Sequence, residues 1–294
     1  MPRYKLVIAY DGTDFHGWQK QHPPADAAHT RAEQVIDSTE GDGVGAGRVA
    51  LRTVQEVVER AVRRVCREPV ALVGASRTDA GVHALGQVAA FTSRPDPARG
   101  VGWPAERGTD RLVRALNGSL PEDVLVRRAE IVEDSFDPIS DAVEKEYTYT
   151  IVCGDRRPMW DRRFVFYTWF GLDAARMKQA GRMLIGTHDF AAFAQINHGR
   201  RSTVRTVYRC DVECEPCDDG HNQRLVIRVS GDGFLYNMVR IIAGTLMEVG
   251  RGRMEPTAIG EIIASLDRRR AGPTLPPEGL RLEWVKYERA ERVG

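Results

Sequence analysis

Arg77, Thr78 and Asp79 stand together in "GASRTDAGVHALGQVAAF", residues 74–91, among residues of small volume. An arginine and an aspartate two positions apart can meet as an ion pair if the chain there is extended, with Thr78 turned the other way. A guanidinium beside a carboxylate favours its charged form, so Asp79 would be an ionised nucleophile or base at neutral pH. The glycines and alanines that follow would let a flat or bulky substrate come close. The same spacing also suits a turn aspartate tied to its neighbour, and residue types alone leave both readings open.

A second candidate for chemistry is "CDVECEPCDDGH", where Cys214 and Cys217 have the two-residue gap of a zinc knuckle. No second ligand pair lies nearby, Cys210 to Glu213 reads as the end of a strand, and "PCDDGHN" reads as a hairpin turn. These cysteines are read as structural, and no metal is expected. The five cysteines are an odd number and make no disulfide framework, which suits a reducing cytoplasm. No apolar leader precedes "YKLVIAY" and no apolar run reaches membrane-spanning length, so a membrane location is not expected.

Basic residues cluster locally although 42 lysines and arginines nearly balance 41 acids, for a net charge of +1. The clusters are Arg60, Arg63, Arg64 and Arg67; Arg200, Arg201, Arg205 and Arg209; and Arg268 to Arg270. Each can be a solvated face or a phosphate contact, and net charge does not decide between them.

The elements that must position these residues follow from periodicity. Residues 4–10 alternate as a strand, and the "FHGWQKQ" stretch after it sets two aromatics and a histidine around a glycine. Residues 22–50 lose their apolar content and read as a mobile surface insertion. "TVQE" is a capping box opening a helix whose apolar stripe is Val54, Val57, Val58, Ala61, Val62 and Val65. Strands are predicted at "VALVGAS", "QVAAFTS", "VLVRRAEIV" and "EYTYTIVC", with a helix over 110–117. The proline- and arginine-rich "GDRRPMWDRR" is predicted to join a first subdomain, 1–153, to a second, 154–294.

In the second half, strand "FVFYTWF" leads to a helix over 173–186 capped by Gly186, and "THDFAAFA" reads as a loop. Strands at "TVRTVYRCDVE" and "QRLVIRVSGDG", a buried helix over 234–250, an amphipathic helix over 255–269 and a closing strand at "GLRLEWVKYE" complete it. "KLVIAYDG" and "RLVIRVSGDG" hint that the halves are related. The order implies an α+β fold of two related α/β subdomains, with mixed, mainly antiparallel sheets backed by helices.

Several of these segments together resemble the tRNA pseudouridine synthase A family. "ASRTDAGVHALGQVAAF" is similar to its signature, and "YKLVIAYDGTDFHGWQKQ", "RTVQEVVERAV", "ALNGSLPEDVLV" and "YTYTI" resemble other segments of the first half. "GTHDFAAFA", "TVRTVY", "GDGFLYNMVRIIAGTLMEVGRG" and "GLRLEWVKY" do the same for the second. The resemblance spans nearly the whole chain apart from 22–50. It implies the pseudouridine synthase fold, the second subdomain completing the active-site cleft. The implied activity is isomerisation of uridine to pseudouridine at positions 38–40 of the tRNA anticodon stem-loop, without a cofactor.

The roles that the resemblance implies are specific. Asp79 is the nucleophile, attacking sugar or base; Arg77 pairs with it and helps fill the gap left by a flipped nucleotide. Tyr147 contacts the target base, and Arg240 of "NMVR" is the basic partner of the aspartate. A homodimer is implied, with tRNA across both subunits, and Arg60, Arg63, Arg64, Arg200, Arg201 and Arg205 become candidate phosphate contacts. One departure bears on an RNA or base contact: "FDPISDA", residues 136–142, stands where family members commonly carry F-H-A-R-F-S-A, with Asp137 for the histidine and Ile139 for the arginine. The alternative function is a catalytically lapsed tRNA-binding or folding-chaperone protein. A hydrolytic nucleosidase is more remote, because such chemistry normally uses a carboxylate pair.

Overall fold

The computed structural model describes residues 1–23, 35–36, 49–195, 202–217 and 220–288. The chain divides into two compact units, Met1–Ala142 and Val143–Gly294. The division falls after the first residue of the strand that carries Tyr147, and the arginine-rich stretch expected as the joint lies inside the second unit.

In the first unit, β1 (Arg3–Tyr10) buries every second residue, with Tyr4, Leu6, Ile8 and Tyr10 all inward. A short pair, β2 (Val35–Ile36) and β3 (Ala50–Leu51), follows. Helix α1 (Val54–Cys66) opens on Thr53, whose hydroxyl accepts from the Glu56 amide at 3.4 Å. Val54, Val58, Ala61, Val62 and Cys66 form its buried face, while Val57 and Val65 sit at the margin. Of the predicted "VALVGAS" strand only β4 (Val73–Gly74) is paired, beside β5 (His83–Thr92). Helix α2 (Thr109–Asn117) packs on β6 (Val124–Val132). β1 lies between β5 and β6, antiparallel to both.

The second unit opens with β7 (Ala142–Gly154), antiparallel to its neighbour along nearly its full length; its first residue ends the first unit. β8 (Phe166–Thr168) pairs parallel to β7, and α3 (Ala174–Arg182) follows, capped by the Asp173 carboxylate. The helix stops at Arg182, so Gly186 is not its cap. Gly186 instead opens β9 (Gly186–Asp189), an edge strand where a loop was expected. β10 (Val204–Pro216) and β11 (Asn222–Gly231) form a long hairpin. α4 (Met238–Gly250) is buried almost throughout and begins four residues later than its apolar run suggests, because Asn237 at φ 61° interrupts the helix. α5 (Ala258–Ser265) and β12 (Leu280–Tyr287) complete the unit. The strand order is β12-β7-β11-β10-β9, and α3 packs on β10 and α4. These are the mainly antiparallel sheets with helix backing that the element order implies. The expected insertion over 22–50 falls largely outside the described residues.

Candidate active site

The loop between β4 and β5 carries Arg77, Thr78 and Asp79, and its conformation begins with what its backbone must touch. The segment after β1 passes so close that side chains are excluded. A Cβ on Gly12 would lie 2.0 Å from the Val82 carbonyl oxygen; one on Gly17, at φ +87°, would lie 2.6 Å from the Thr78 oxygen. Both would collide with backbone that cannot yield. Gly17 also occupies the left-handed region that only glycine adopts without strain.

Hydrogen bonds then pin the loop from several sides. The Trp18 amide donates to the Thr78 carbonyl at 3.0 Å, the Gly81 amide to Phe15 O at 3.4 Å, and the Val82 amide to Asp79 O at 3.1 Å. Gln87, fully buried, accepts from the Ser76 amide and donates to its carbonyl. Thr78 is 6% exposed and Tyr10 5%, and their hydroxyls lie 2.7 Å apart. With Thr78 turned inward, Arg77 is exposed and Asp79 half-buried.

Two expectations change here. Residues 77–79 form loop, not strand. The small residues also have a different use: Ala84, Ala89 and Ala90 are buried in β5, with Ala89 and Ala90 opposite Leu6 and Lys5 of β1. They fill core space that larger side chains would overpack.

The supporting segment is itself held. Arg52 lies over the Phe15 ring, 4.0 Å from its centroid, and makes a two-pronged contact with Asp123, both bonds 2.9 Å. The Asp11 carboxylate accepts from the Thr13 amide and hydroxyl and lies 3.2 Å from His83 Nδ1. Burial pushes this carboxyl upward, yet the bonds from His83 and Thr13 outweigh it and hold it well below the usual carboxylate range. The Gly12 amide nitrogen lies 3.0 Å from the same His83 nitrogen.

Tyr147 sits within β7, 6% exposed, opposite Val229 of β11 and edge-on to Phe234 with ring centroids 5.3 Å apart. Arg240, in the first turn of α4, is half-buried; its Nε donates to Leu275 O and one terminal nitrogen to Asn237 Oδ1, each at 2.7 Å. Asn237 thus both allows the left-handed turn and orients the guanidinium.

The candidate RNA-contacting arginines divide. Arg60 bonds the buried Glu56 at 2.9 Å, and Arg63 bonds the buried Glu59 at 2.6 Å and Val70 O at 3.1 Å. Arg64 is exposed, with one long contact to Ser119. Arg205 donates to Ser202 O at 3.1 Å. Arg200 and Arg201 lie outside the described residues.

Asp137 makes a turn of "FDPISDA": its carboxylate accepts from the Ile139 and Ser140 amides at 2.8 Å, which lowers its pKa, and Ile139 is exposed. An aspartate that builds its own turn has a local reason to stand there. All five cysteines are thiols outside any disulfide, and the Gln223 amide lies between the Cys153 and Cys214 sulfurs at 3.4 and 3.5 Å. Among the described residues no three His, Cys, Asp or Glu side chains are placed to hold a metal ion. No helix is long and apolar enough to cross a membrane, among the same residues.

The residue that sequence reasoning passed over is Tyr10. As the last inward position of an alternating strand it reads as core, and only the fold shows its hydroxyl meeting Thr78.

A loop of this build, followed by a mainly antiparallel unit, accords with what comparison finds: residues 180–288 match a family model described as tRNA pseudouridine synthase. Across the length of the chain, the protein called tRNA pseudouridine synthase A of Thermoanaerobacter sp. (strain X514) is 39% identical, covering 98% of this chain and all of its own. The proteins of the same name from Acetivibrio thermocellus and Geotalea uraniireducens (strain Rf4) are each 38% identical with the same coverage. The chain therefore belongs to the tRNA pseudouridine synthase A family.

Proposed function

We propose that this chain isomerises uridine to pseudouridine in tRNA, at positions 38–40 of the anticodon stem-loop, with Asp79 as nucleophile. The observation that carries the reading is likeness over 98% of the chain to relatives of that name, with the Arg77-Thr78-Asp79 run on a rigidly seated loop. The reaction breaks the bond from ribose C1′ to N1 of uracil, turns the base over and joins C1′ to C5, whose proton leaves while N1 takes one up. Atoms and electrons balance within the substrate, so no oxidant, reductant or imported group is needed.

Asp79 supplies the carboxylate that attacks sugar or base. Its neighbour Arg77 is exposed, and it is suited to pair with the aspartate and to help fill the space left when the nucleotide leaves its stack. Tyr147 contacts the target base, and Arg240, held by Asn237 and Leu275, is the basic residue of the site. Arg64 and Arg205 are phosphate contacts, with Arg200 and Arg201 beside them in sequence. A homodimer with tRNA across both subunits completes the reading, and sedimentation analysis checks it.

Release of tritium from C5-labelled uridine in tRNA transcripts tests the reaction. Turnover by the wild type that vanishes in Asp79→Asn, with tRNA binding kept, is the expected result. Binding without release by the wild type would mark a lapsed, chaperone-like protein, and free uracil a hydrolase.

A further inference from the structure

We propose that the paired hydroxyls of Tyr10 and Thr78 are a positioning device: they aim the Asp79 carboxylate without touching substrate. The proposal deepens the reading above and rests on Asp79 being the nucleophile.

Packing alone does not account for these hydroxyls. Thr78 and Tyr10 are 6% and 5% exposed, and a valine and a phenylalanine would fill the same volumes. Each buried hydroxyl carries a desolvation penalty unless it is bonded, and here the two meet at 2.7 Å. The pair sits at one particular place, the residue immediately before Asp79.

Thr78 is fixed at three points. Its hydroxyl is held by Tyr10, its carbonyl accepts from Trp18 at 3.0 Å, and its peptide rests directly on Gly17, where no Cβ fits. Beyond it, the Val82 amide takes the Asp79 carbonyl at 3.1 Å. With the peptides on both sides of the aspartate Cα fixed, the direction of its Cα–Cβ bond is fixed too. Tyr10 ends β1, which is paired on both edges, and its ring packs near Trp18 with centroids 6.2 Å apart. The hydroxyl pair therefore ties a reactive loop to a strand that is hydrogen-bonded on both edges. Reaction rates respond steeply to such aim, since a displacement of about 1 Å can cost about a hundredfold.

The test compares Tyr10→Phe, Thr78→Val, Thr78→Ser and Asp79→Asn by tritium release from full-length tRNA, with kcat and KM measured separately on folded, active-concentration-matched protein. Tyr10→Phe and Thr78→Val are expected to lower kcat about ten- to a hundredfold while KM changes by less than about twofold. Thr78→Ser, which keeps the hydroxyl, is expected to recover kcat to within about threefold of wild type. A role in stability alone would lower the unfolding temperature and leave kcat of the folded fraction unchanged; that result overturns the proposal. So does a loss carried by KM, or Thr78→Ser behaving like Thr78→Val. Should Thr78→Val not fold, the near-isosteric Tyr10→Phe and Thr78→Ser decide. Turnover retained by Asp79→Asn would overturn the assignment of the nucleophile itself, a separate failure that the other variants do not produce.

Discussion

Two arginine-bearing regions of the first unit look equally ready for a ligand in sequence, and the fold treats them oppositely. In the Asp79 loop the backbone and Thr78 are turned inward and bonded, which leaves Arg77 facing solvent. In α1 the carboxylates are turned inward: Glu56 and Glu59 are each 3% exposed and draw Arg60, Arg63 and Lys20 back onto the protein. A charge in a sequence is open to a ligand only when the fold has not already supplied its counter-charge. In the loop those anchors are neutral groups and peptides, and Arg77 stays exposed.

Gly12→Ala should break this contrast most severely. Its new Cβ would sit 2.0 Å from the Val82 oxygen, and neither backbone can move without dislodging the Asp79 loop. A loss of about 4 kcal/mol in urea unfolding and collapse of turnover are expected. Gly171→Ala, which meets nothing within 4 Å, is the control expected to be near neutral. Equal stability of the two variants would end the account of backbone contact.

Glu59→Gln comes next. Glu59 accepts from the Leu72 amide at 2.9 Å and bonds both Lys20 and Arg63, so neutralising it leaves two cations facing a buried amide. About 3 kcal/mol of stability should be lost, with little change in the KM for tRNA. A large KM effect with intact stability would place Arg63 at the RNA instead.

Acid titration sharpens the loop side. The folded-state pKa of Asp11 is depressed below its unfolded value of about 3.9, so its contribution is complete above that value and lost as pH falls through the folded one. Asp11→Asn should therefore be less stable than wild type at neutral pH, with the two converging as pH falls below about 4. Unfolding curves at a series of pH values read this directly.

The smallest effect is expected at Arg64, the exposed arginine of α1. Arg64→Ala should leave stability within about 0.5 kcal/mol, weaken tRNA binding two- to fivefold or about that, and reduce the salt slope by about 1. An unchanged salt slope would remove α1 from the RNA surface altogether.

Much of the scaffold was legible because its signals are local. The alternation of β1, the Thr53 cap of α1 and the asparagine–glycine stop after α2 each act within a few residues. β9 was not legible, since a four-residue edge strand has too few positions to show a period. Nor was the start of α4, where Asn237 breaks an apolar run that reads as continuous. At the candidate site, the Arg77-Thr78-Asp79 run was recognisable from residue types, but its conformation was not. The strand reading failed because the loop follows contacts with residues 12–18, about sixty positions away in sequence.

The sequence by itself determined which elements form, the family of the chain and the residues on which its chemistry should rest, because periodicity, caps and motifs are written in neighbouring residues. Only the tertiary structure decided which charges are already partnered, that the alanines of β5 serve the core, and that Thr78 is held by Tyr10. Those outcomes depend on distances between segments remote in the chain, and the free energy of a buried hydroxyl or carboxylate is set by whatever the fold brings within about 3 Å of it.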